Sequence, residues 1–186
     1  LKVISFGSER MPKSLLTRLN EVFPNIKLLQ KYGVTELGSP SSKSKASDST
    51  WIKINSEQFQ TKIINGILHI KAETAMLGYL NAPNPFTEDG WFNTGDSVET
   101  DGDYIHILGR ESEIINVGGE KVYPAEIEEI IQMMPGVEDV VVNGISNPIT
   151  GEMVQAQVKI NTGESRAEFR QRMRAFCQDK LQPFKI

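Results

Sequence analysis

The sequence has few of the features that mark disulfide-linked, membrane-bound or nucleic-acid-binding proteins. It contains one cysteine, Cys177, so no internal disulfide can form. No apolar run approaches the roughly 20 residues that a membrane-spanning helix needs. Acidic residues outnumber basic ones by 24 to 20, and a net charge of -4 does not supply the dense basic patch that displaces counterions from phosphates. We therefore expect a cytoplasmic protein with no nucleic-acid partner and no transmembrane segment.

Histidine is also scarce. His69 and His106 lie in strand-like segments with no cysteine or second histidine at metal-ligand spacing, so we expect no zinc site. Cys177 lies in an amphipathic helix without a neighbouring base, so we do not expect it to act as a nucleophile.

The first fifty residues follow a strand, helix, strand pattern. Lys2 to Phe6 is predicted as a buried strand and Ile26 to Gln30 as a second strand, and Met11 to Phe23 carries apolar residues at helical spacing. Two parallel strands joined by a helix form a right-handed crossover, and ligands collect where such strands end. Gly7-Ser8 and Tyr32-Gly33 occupy those ends.

A small antiparallel β subdomain is predicted for residues 51–108. It follows Ser39 to Thr50, a serine-rich stretch without a large apolar residue, which is typical of a solvated loop. Asn65-Gly66 separates two apolar runs and suits a two-residue turn with positive φ. A second hairpin is predicted to turn at Asp101-Gly102.

A compact α+β domain is predicted for residues 113–186. Gly118-Gly119 marks a turn between two strands, and Pro124 opens a helix. Val154 to Ile160 alternates apolar and polar side chains as a half-buried strand does. Ser165 and Glu168 form a capping box that opens the last helix.

Three polar strings recur at positions that packing does not explain. They are YGVTELG from Tyr32 to Gly38, NTGD from Asn93 to Asp96, and GRESEIINVGGEKVYPAEIE from Gly109 to Glu128. In this order and spacing they resemble the adenylate-forming superfamily, which includes acyl- and aryl-CoA synthetases, luciferases and peptide-synthetase adenylation domains. The resemblance covers nearly the whole chain and identifies it as the C-terminal portion of such an enzyme.

This resemblance implies a domain layout. Residues 1–50 would end the α/β adenylation core, 51–108 would form the antiparallel β subdomain, 109–112 would be a hinge, and 113–186 would belong to a mobile, incomplete α+β C-terminal domain. It also implies two loops that these 186 residues do not contain. One is a phosphate-wrapping loop rich in Ser, Thr and Gly with a Lys, and the other is a catalytic Gly-Lys pair.

The resemblance also implies a role for the string that begins at Tyr32. Tyr32 would pack on adenine, Thr35 would contact the α-phosphate, and Glu36 would help to hold Mg²⁺, with Thr35 and Glu36 as the catalytic pair. A flat π face, a hydroxyl and a carboxylate suit these ligands. Without the other two strings, the same residues would indicate only a polar loop after a strand.

Asp96 is the residue to which the resemblance assigns both ribose hydroxyls, and Arg110 would donate to the same sugar. Gly7, Ser8 and Gly33 complete the predicted nucleotide-binding set, since glycine lets the backbone approach a ligand closely. Taken without the family, Asp96 and Arg110 would indicate a surface ion pair.

The resemblance further implies a rotation of the C-terminal domain between two reaction steps. The hinge would be Ser112, where most relatives have Asp or Lys, and Gly118 and Gly119 would help to form the channel for the thiol. Many relatives have a lysine where Asn116 stands. The tight turn at Gly118-Gly119 is compatible with a purely structural role as well.

The implied function is that of an ATP-dependent acid-thiol ligase using ATP, Mg²⁺ and CoA. It would activate a carboxylic acid, whether fatty, aryl or short-chain, as acyl-AMP and transfer it to CoA. One alternative is an adenylating enzyme that passes the acyl group to a carrier protein. Another is a non-catalytic fragment that binds adenosine weakly or not at all, and we expect the isolated chain to be inactive.

Overall fold

The protein, described here as a computed structural model, is defined for residues 1–54 and 57–186. It divides into two compact units, Leu1–Glu111 and Ser112–Ile186. The mixed α and β architecture predicted from the sequence is confirmed. The predicted hinge residue, Ser112, is the first residue of the second unit, and its role as a hinge stays a prediction, as do the boundaries at residues 50 and 108.

The first unit opens with the predicted strand, helix, strand pattern. β1 (Val3–Phe6) and β2 (Lys27–Gln30) pair in parallel, and α1 (Lys13–Val22) connects them. The prediction that the first strand is buried was wrong, since the residues of β1 alternate between exposed and half-buried. Only Leu16 of α1 is fully buried.

Six antiparallel strands form the main sheet of the first unit. They are β3 (Ser42–Ser44), β4 (Ile52–Ile54), β5 (Phe59–Ile64), β6 (Ile67–Ala72), β7 (Phe92–Asp101) and β8 (Tyr104–Arg110), in the order β3-β4-β8-β7-β6-β5. The turn at Asn65-Gly66 is confirmed, with φ of 52° and 81°. Asp101 pairs with Tyr104, so the next hairpin turns at residues 102–103, one position later than predicted.

The serine-rich stretch is more than the solvated loop that its composition indicated. Ser42 and Ser44 lie in β3 and are buried. The Ser42 hydroxyl donates to the Gln30 carbonyl over 2.8 Å, and the Ser44 hydroxyl accepts from the Gln30 amide over 3.0 Å. We call these two bonds the serine clasp. They give the N–H and the C=O of Gln30 hydrogen-bond partners. The backbone of this buried residue is therefore satisfied although no third parallel strand pairs with β2 among the described residues.

The second unit is a four-stranded antiparallel sheet with helices. After a short 3-10 turn at Glu111–Glu113 come β9 (Ile115–Val117), β10 (Glu120–Val122), α2 (Pro124–Gln132), β11 (Val137–Asn147), β12 (Gly151–Ile160), α3 (Arg166–Gln178) and a 3-10 turn at Pro183–Lys185. The strand order is β10-β9-β12-β11. The alternation of β12 is confirmed, and so is the capping box, in which the Ser165 side chain accepts from the Glu168 amide. The hydrophobic core of the second unit includes Ile115, Val122, Ile127, Ile131 and Phe169.

Candidate nucleotide-binding site

A cavity of about 420 Å³ lies where β1 and β2 end. Its lining includes five residues predicted for nucleotide binding, Gly7, Ser8, Tyr32, Gly33 and Thr35. Residues that are far apart in the sequence meet here because parallel strands end at the same edge. The volume falls within the range of small-molecule pockets.

Two of the lining glycines are required by close backbone contacts. A Cβ on Gly7 would lie 2.8 Å from the Lys31 carbonyl oxygen, and one on Gly33 would lie 2.9 Å from the Gly38 carbonyl oxygen. Both distances are shorter than side chains tolerate. Ser8 has a φ of 71°, an uncommon backbone conformation for a residue other than glycine. The rim of the cavity is therefore built from backbone held in one tight arrangement.

A buried hydrogen-bond network lies next to this cavity. The Tyr32 hydroxyl donates to Asp96 Oδ2 over 2.6 Å, and Arg110 Nε lies 3.1 Å from Asp96 Oδ1. Arg110 Nη1 also donates to the Thr94 carbonyl over 2.6 Å. The Asp96 side chain is 8% exposed, whereas that of Arg110 is 50% exposed. The structure thus joins Tyr32, Asp96 and Arg110 in one charged cluster that reaches solvent through the guanidinium group.

Strand pairing explains how the cluster is positioned. Asp96 of β7 stands opposite Arg110 of β8, so their side chains meet across the sheet. Thr94 fixes the approach to Asp96, because its hydroxyl donates to the Leu68 carbonyl over 2.8 Å and accepts from the Asp96 amide over 3.1 Å.

The environment keeps the Tyr32 hydroxyl protonated. Burial of the ring raises the pKa of Tyr32 far above its ordinary value, and the Asp96 charge and hydrogen bond raise it further. Tyr32 is therefore a hydrogen-bond donor to Asp96 at any physiological pH. Sequence reasoning assigned this ring to adenine and missed its hydroxyl, because a contact across 64 positions leaves no local pattern.

Glu36 follows Thr35 in the sequence, but its side chain bonds to Tyr79 and it is not among the residues that line the cavity. The Tyr79 hydroxyl donates to Glu36 Oε1 over 2.5 Å, and this bond is the largest cause of the raised pKa of Tyr79. The Met76 amide donates to the Glu36 carbonyl over 2.8 Å, and the Thr74 hydroxyl donates to the Leu37 carbonyl over 2.7 Å. Sequence reasoning did not select Thr74 or Tyr79.

In the second unit, Gly118 and Gly119 form the two-residue turn between β9 and β10. Their φ values are 62° and 95°, which favour glycine at both positions. The Gly119 amide donates to the Asn116 side-chain oxygen over 2.9 Å. Asn116 therefore stabilises the turn itself.

The profile of the AMP-binding enzyme C-terminal domain matches residues 126–186. YdaB of Bacillus subtilis, itself a predicted acyl-CoA ligase, is 32% identical to the chain over 206 aligned positions, which cover 100% of the chain and 40% of YdaB. The chain belongs to the adenylate-forming, AMP-binding superfamily. A 2-succinylbenzoate-CoA ligase of Geobacillus kaustophilus is 35% identical over 125 positions, covering 65% of the chain and 25% of that ligase.

Solved structures of this superfamily agree with the assignment. ATP-bound MatB from Rhodopseudomonas palustris superposes with a TM-score of 0.82 at 25% identity, covering 99% of the chain and 40% of MatB. The chain thus spans about two fifths of the length of YdaB and of MatB.

Glu36 is the one residue that the sequence predicted to bind a metal. Among residues 1–54 and 57–186, no group of three or more His, Cys, Asp or Glu could hold a metal ion. Mg²⁺ does not need such a cage, since it is usually bound by one or two carboxylates together with waters and substrate phosphates. Glu36, with one oxygen bonded to Tyr79, fits that kind of site.

No helix in the described part of the chain is long and apolar enough to cross a bilayer.

Proposed function

We propose that this chain supplies the adenosine site and the thiol-step hairpin of an ATP-dependent acid-thiol ligase. The whole enzyme activates a carboxylic acid as acyl-AMP and transfers the acyl group to CoA. The observation that supports this best is the buried Asp96 carboxylate, held by Tyr32 and Arg110 next to the cavity at the ends of β1 and β2.

Asp96 retains the capacity that ribose recognition needs. A carboxylate offers about four lone-pair sites, and Tyr32 and Arg110 use one each. The remaining sites can accept from two vicinal hydroxyl groups. Because Asp96 is buried, water competes weakly for it, and hydrogen bonds to it are stronger than at an exposed site.

Arg110 has the opposite character and suits a group that meets the ligand from solvent. Its Nε and Nη1 atoms are directed at Asp96 and the Thr94 carbonyl. A guanidinium group has five N–H donors in all, so the Nη2 donors stay available to the sugar. The same residue therefore orients Asp96 and adds a donor of its own.

The cavity supports the placement of adenine and the α-phosphate. Tyr32 lines it, and Gly7 and Gly33 leave backbone without side chains at its rim, where a flat ring could approach. Thr35 is exposed at the cavity and supplies a hydroxyl for a phosphate oxygen. Glu36 would hold Mg²⁺, which neutralises charge on the phosphates of ATP.

The second unit would serve the thiol step. Ser112 is the proposed hinge, and the proposed thiol channel includes Gly118 and Gly119. With no side chains at its tip, this hairpin leaves space for the narrow pantetheine arm of CoA. Asn116 is engaged with the Gly119 amide, so the hairpin acts through shape rather than through a cation.

Pyrophosphate exchange by the full product of the gene tests the proposal. We expect exchange of labelled pyrophosphate into ATP with one or more acids from a fatty, aryl and short-chain panel, and thioester release when CoA is added. Exchange without a CoA thioester would transfer the proposal to an adenylating enzyme with another acceptor, such as a carrier protein. No exchange with any acid would contradict it. Residues 1–186 alone should show no turnover.

A further inference from the structure

Residues 74–79 hold the turn that carries Glu36. The turn closes on itself, since the Val34 carbonyl accepts from both Leu37 and Gly38 amides over 3.1 and 2.8 Å. Leu37, 1% exposed, anchors it in the core of the first unit. The backbone that carries Glu36 is therefore held in place by the turn and by the buried side chain of Leu37.

Three hydrogen bonds then join this turn to residues 74–79. The Thr74 hydroxyl and the Met76 amide bind the carbonyls of Leu37 and Glu36, which fixes the peptide backbone. The Tyr79 hydroxyl binds Glu36 Oε1 over 2.5 Å, which fixes the side chain. One segment therefore determines both the position of Glu36 and the direction of its carboxylate.

Core packing does not account for the placement of Tyr79. Leu77 and Leu80, on either side of it, are fully exposed, and Tyr79 itself is 44% exposed. Among the described residues, the hydroxyl contact with Glu36 is the one hydrogen bond that its side chain makes.

We propose that Tyr79 is a positioning residue for Glu36, holding one carboxylate oxygen so that the other faces the divalent cation that accompanies ATP. This inference rests on the proposed function of Glu36 as a Mg²⁺ ligand. A tyrosine hydroxyl suits the task because it donates a hydrogen bond without adding positive charge. The carboxylate keeps its full negative charge for the cation, whereas a neighbouring lysine would offset that charge.

The test is a Mg²⁺ titration of pyrophosphate exchange by the full gene product. Partners that orient a metal ligand typically alter metal affinity about 10- to 100-fold when removed. We expect Tyr79→Phe to raise the half-saturating Mg²⁺ concentration about tenfold, with the wild-type rate regained at saturating Mg²⁺. Tyr104→Phe, in β8, is the matched control and should leave the titration unchanged.

A double-mutant cycle separates positioning from independent effects. Glu36→Asp withdraws the carboxylate by one methylene, so its oxygen no longer reaches Tyr79 in the same way. Tyr79→Phe should then add almost nothing in the Glu36→Asp background. If the double variant instead showed the product of the two single effects on the half-saturating Mg²⁺ concentration, the inference would be overturned.

The outcomes also distinguish this inference from the proposed function. If the wild-type protein shows no exchange, the ligase proposal fails and this inference fails with it. If exchange occurs and Tyr79→Phe has the wild-type Mg²⁺ dependence, only the inference about Tyr79 fails. A lower melting temperature with a reduced rate at every Mg²⁺ concentration would assign Tyr79 a structural role and overturn it.

Discussion

Removal of one hydroxyl, in Tyr32→Phe, should measurably destabilise the first unit. The change leaves the ring in place and deletes only the 2.6 Å hydrogen bond to Asp96. Hydrogen bonds to charged groups contribute about 1.5 to 3 kcal/mol. Asp96 keeps its pairing with Arg110, so we expect about 2 kcal/mol, toward the lower end of that range.

The protein contains its own probe for this measurement. Both tryptophans, Trp51 and Trp91, lie in the first unit, so tryptophan fluorescence reports the unfolding of that unit. In urea, about 2 kcal/mol shifts the unfolding midpoint by about 1 M for a unit of this size. Tyr104→Phe is the control, since it deletes a hydroxyl from β8 away from the network.

If Tyr32→Phe and Tyr104→Phe unfold at the same urea concentration, the buried hydrogen bond contributes nothing to stability. The Tyr32 hydroxyl would then have no part in holding Asp96, and the network would not support the ribose assignment.

Asp96→Asn should raise the KM for ATP in pyrophosphate exchange by about tenfold or more, because the acceptor loses its charge. Gly119→Leu should slow thioester formation and spare exchange, and a loss of both would contradict the role of the hairpin in the thiol step. Gly33→Ala should cost about 1 to 3 kcal/mol in fluorescence-monitored unfolding, since its Cβ would lie 2.9 Å from a carbonyl oxygen. Ser165→Ala should cost the second unit about 1 kcal/mol by circular dichroism. The hydrogen bonds from Ser165 lower the pKa of Glu168, so the capping contribution is present at neutral pH and is lost as pH falls through that lowered value. The difference between Ser165→Ala and the wild type should therefore shrink in acid.

Local patterns in the sequence predicted local structure well. The turn at Asn65-Gly66, the alternation of β12 and the capping box at Ser165 were each predicted and are confirmed. Each depends on residues within a few positions of one another, where backbone propensity and side-chain period act directly. The polar strings likewise identified the superfamily, to which the chain belongs.

Contacts between distant residues could not be predicted in the same way. The buried serines of β3 were mistaken for a solvated loop because composition cannot show that their hydroxyls bind Gln30. The roles of Tyr32 toward Asp96 and of Tyr79 toward Glu36 depend on pairs 64 and 43 positions apart. No local signal marked Tyr79, because Leu77 and Leu80 beside it indicate a packed segment and their exposure is visible only in the structure.

The serine clasp has a consequence for anyone who wishes to insert a tag or a reporter into this protein. By composition, the serine-rich stretch is the natural place to open the chain. An insertion near Ser42 or Ser44 would instead separate β2 from β3 and leave both backbone groups of Gln30 without their partners. The tips of the two hairpins are better sites, because Gly66 and Gly102 have open space around them.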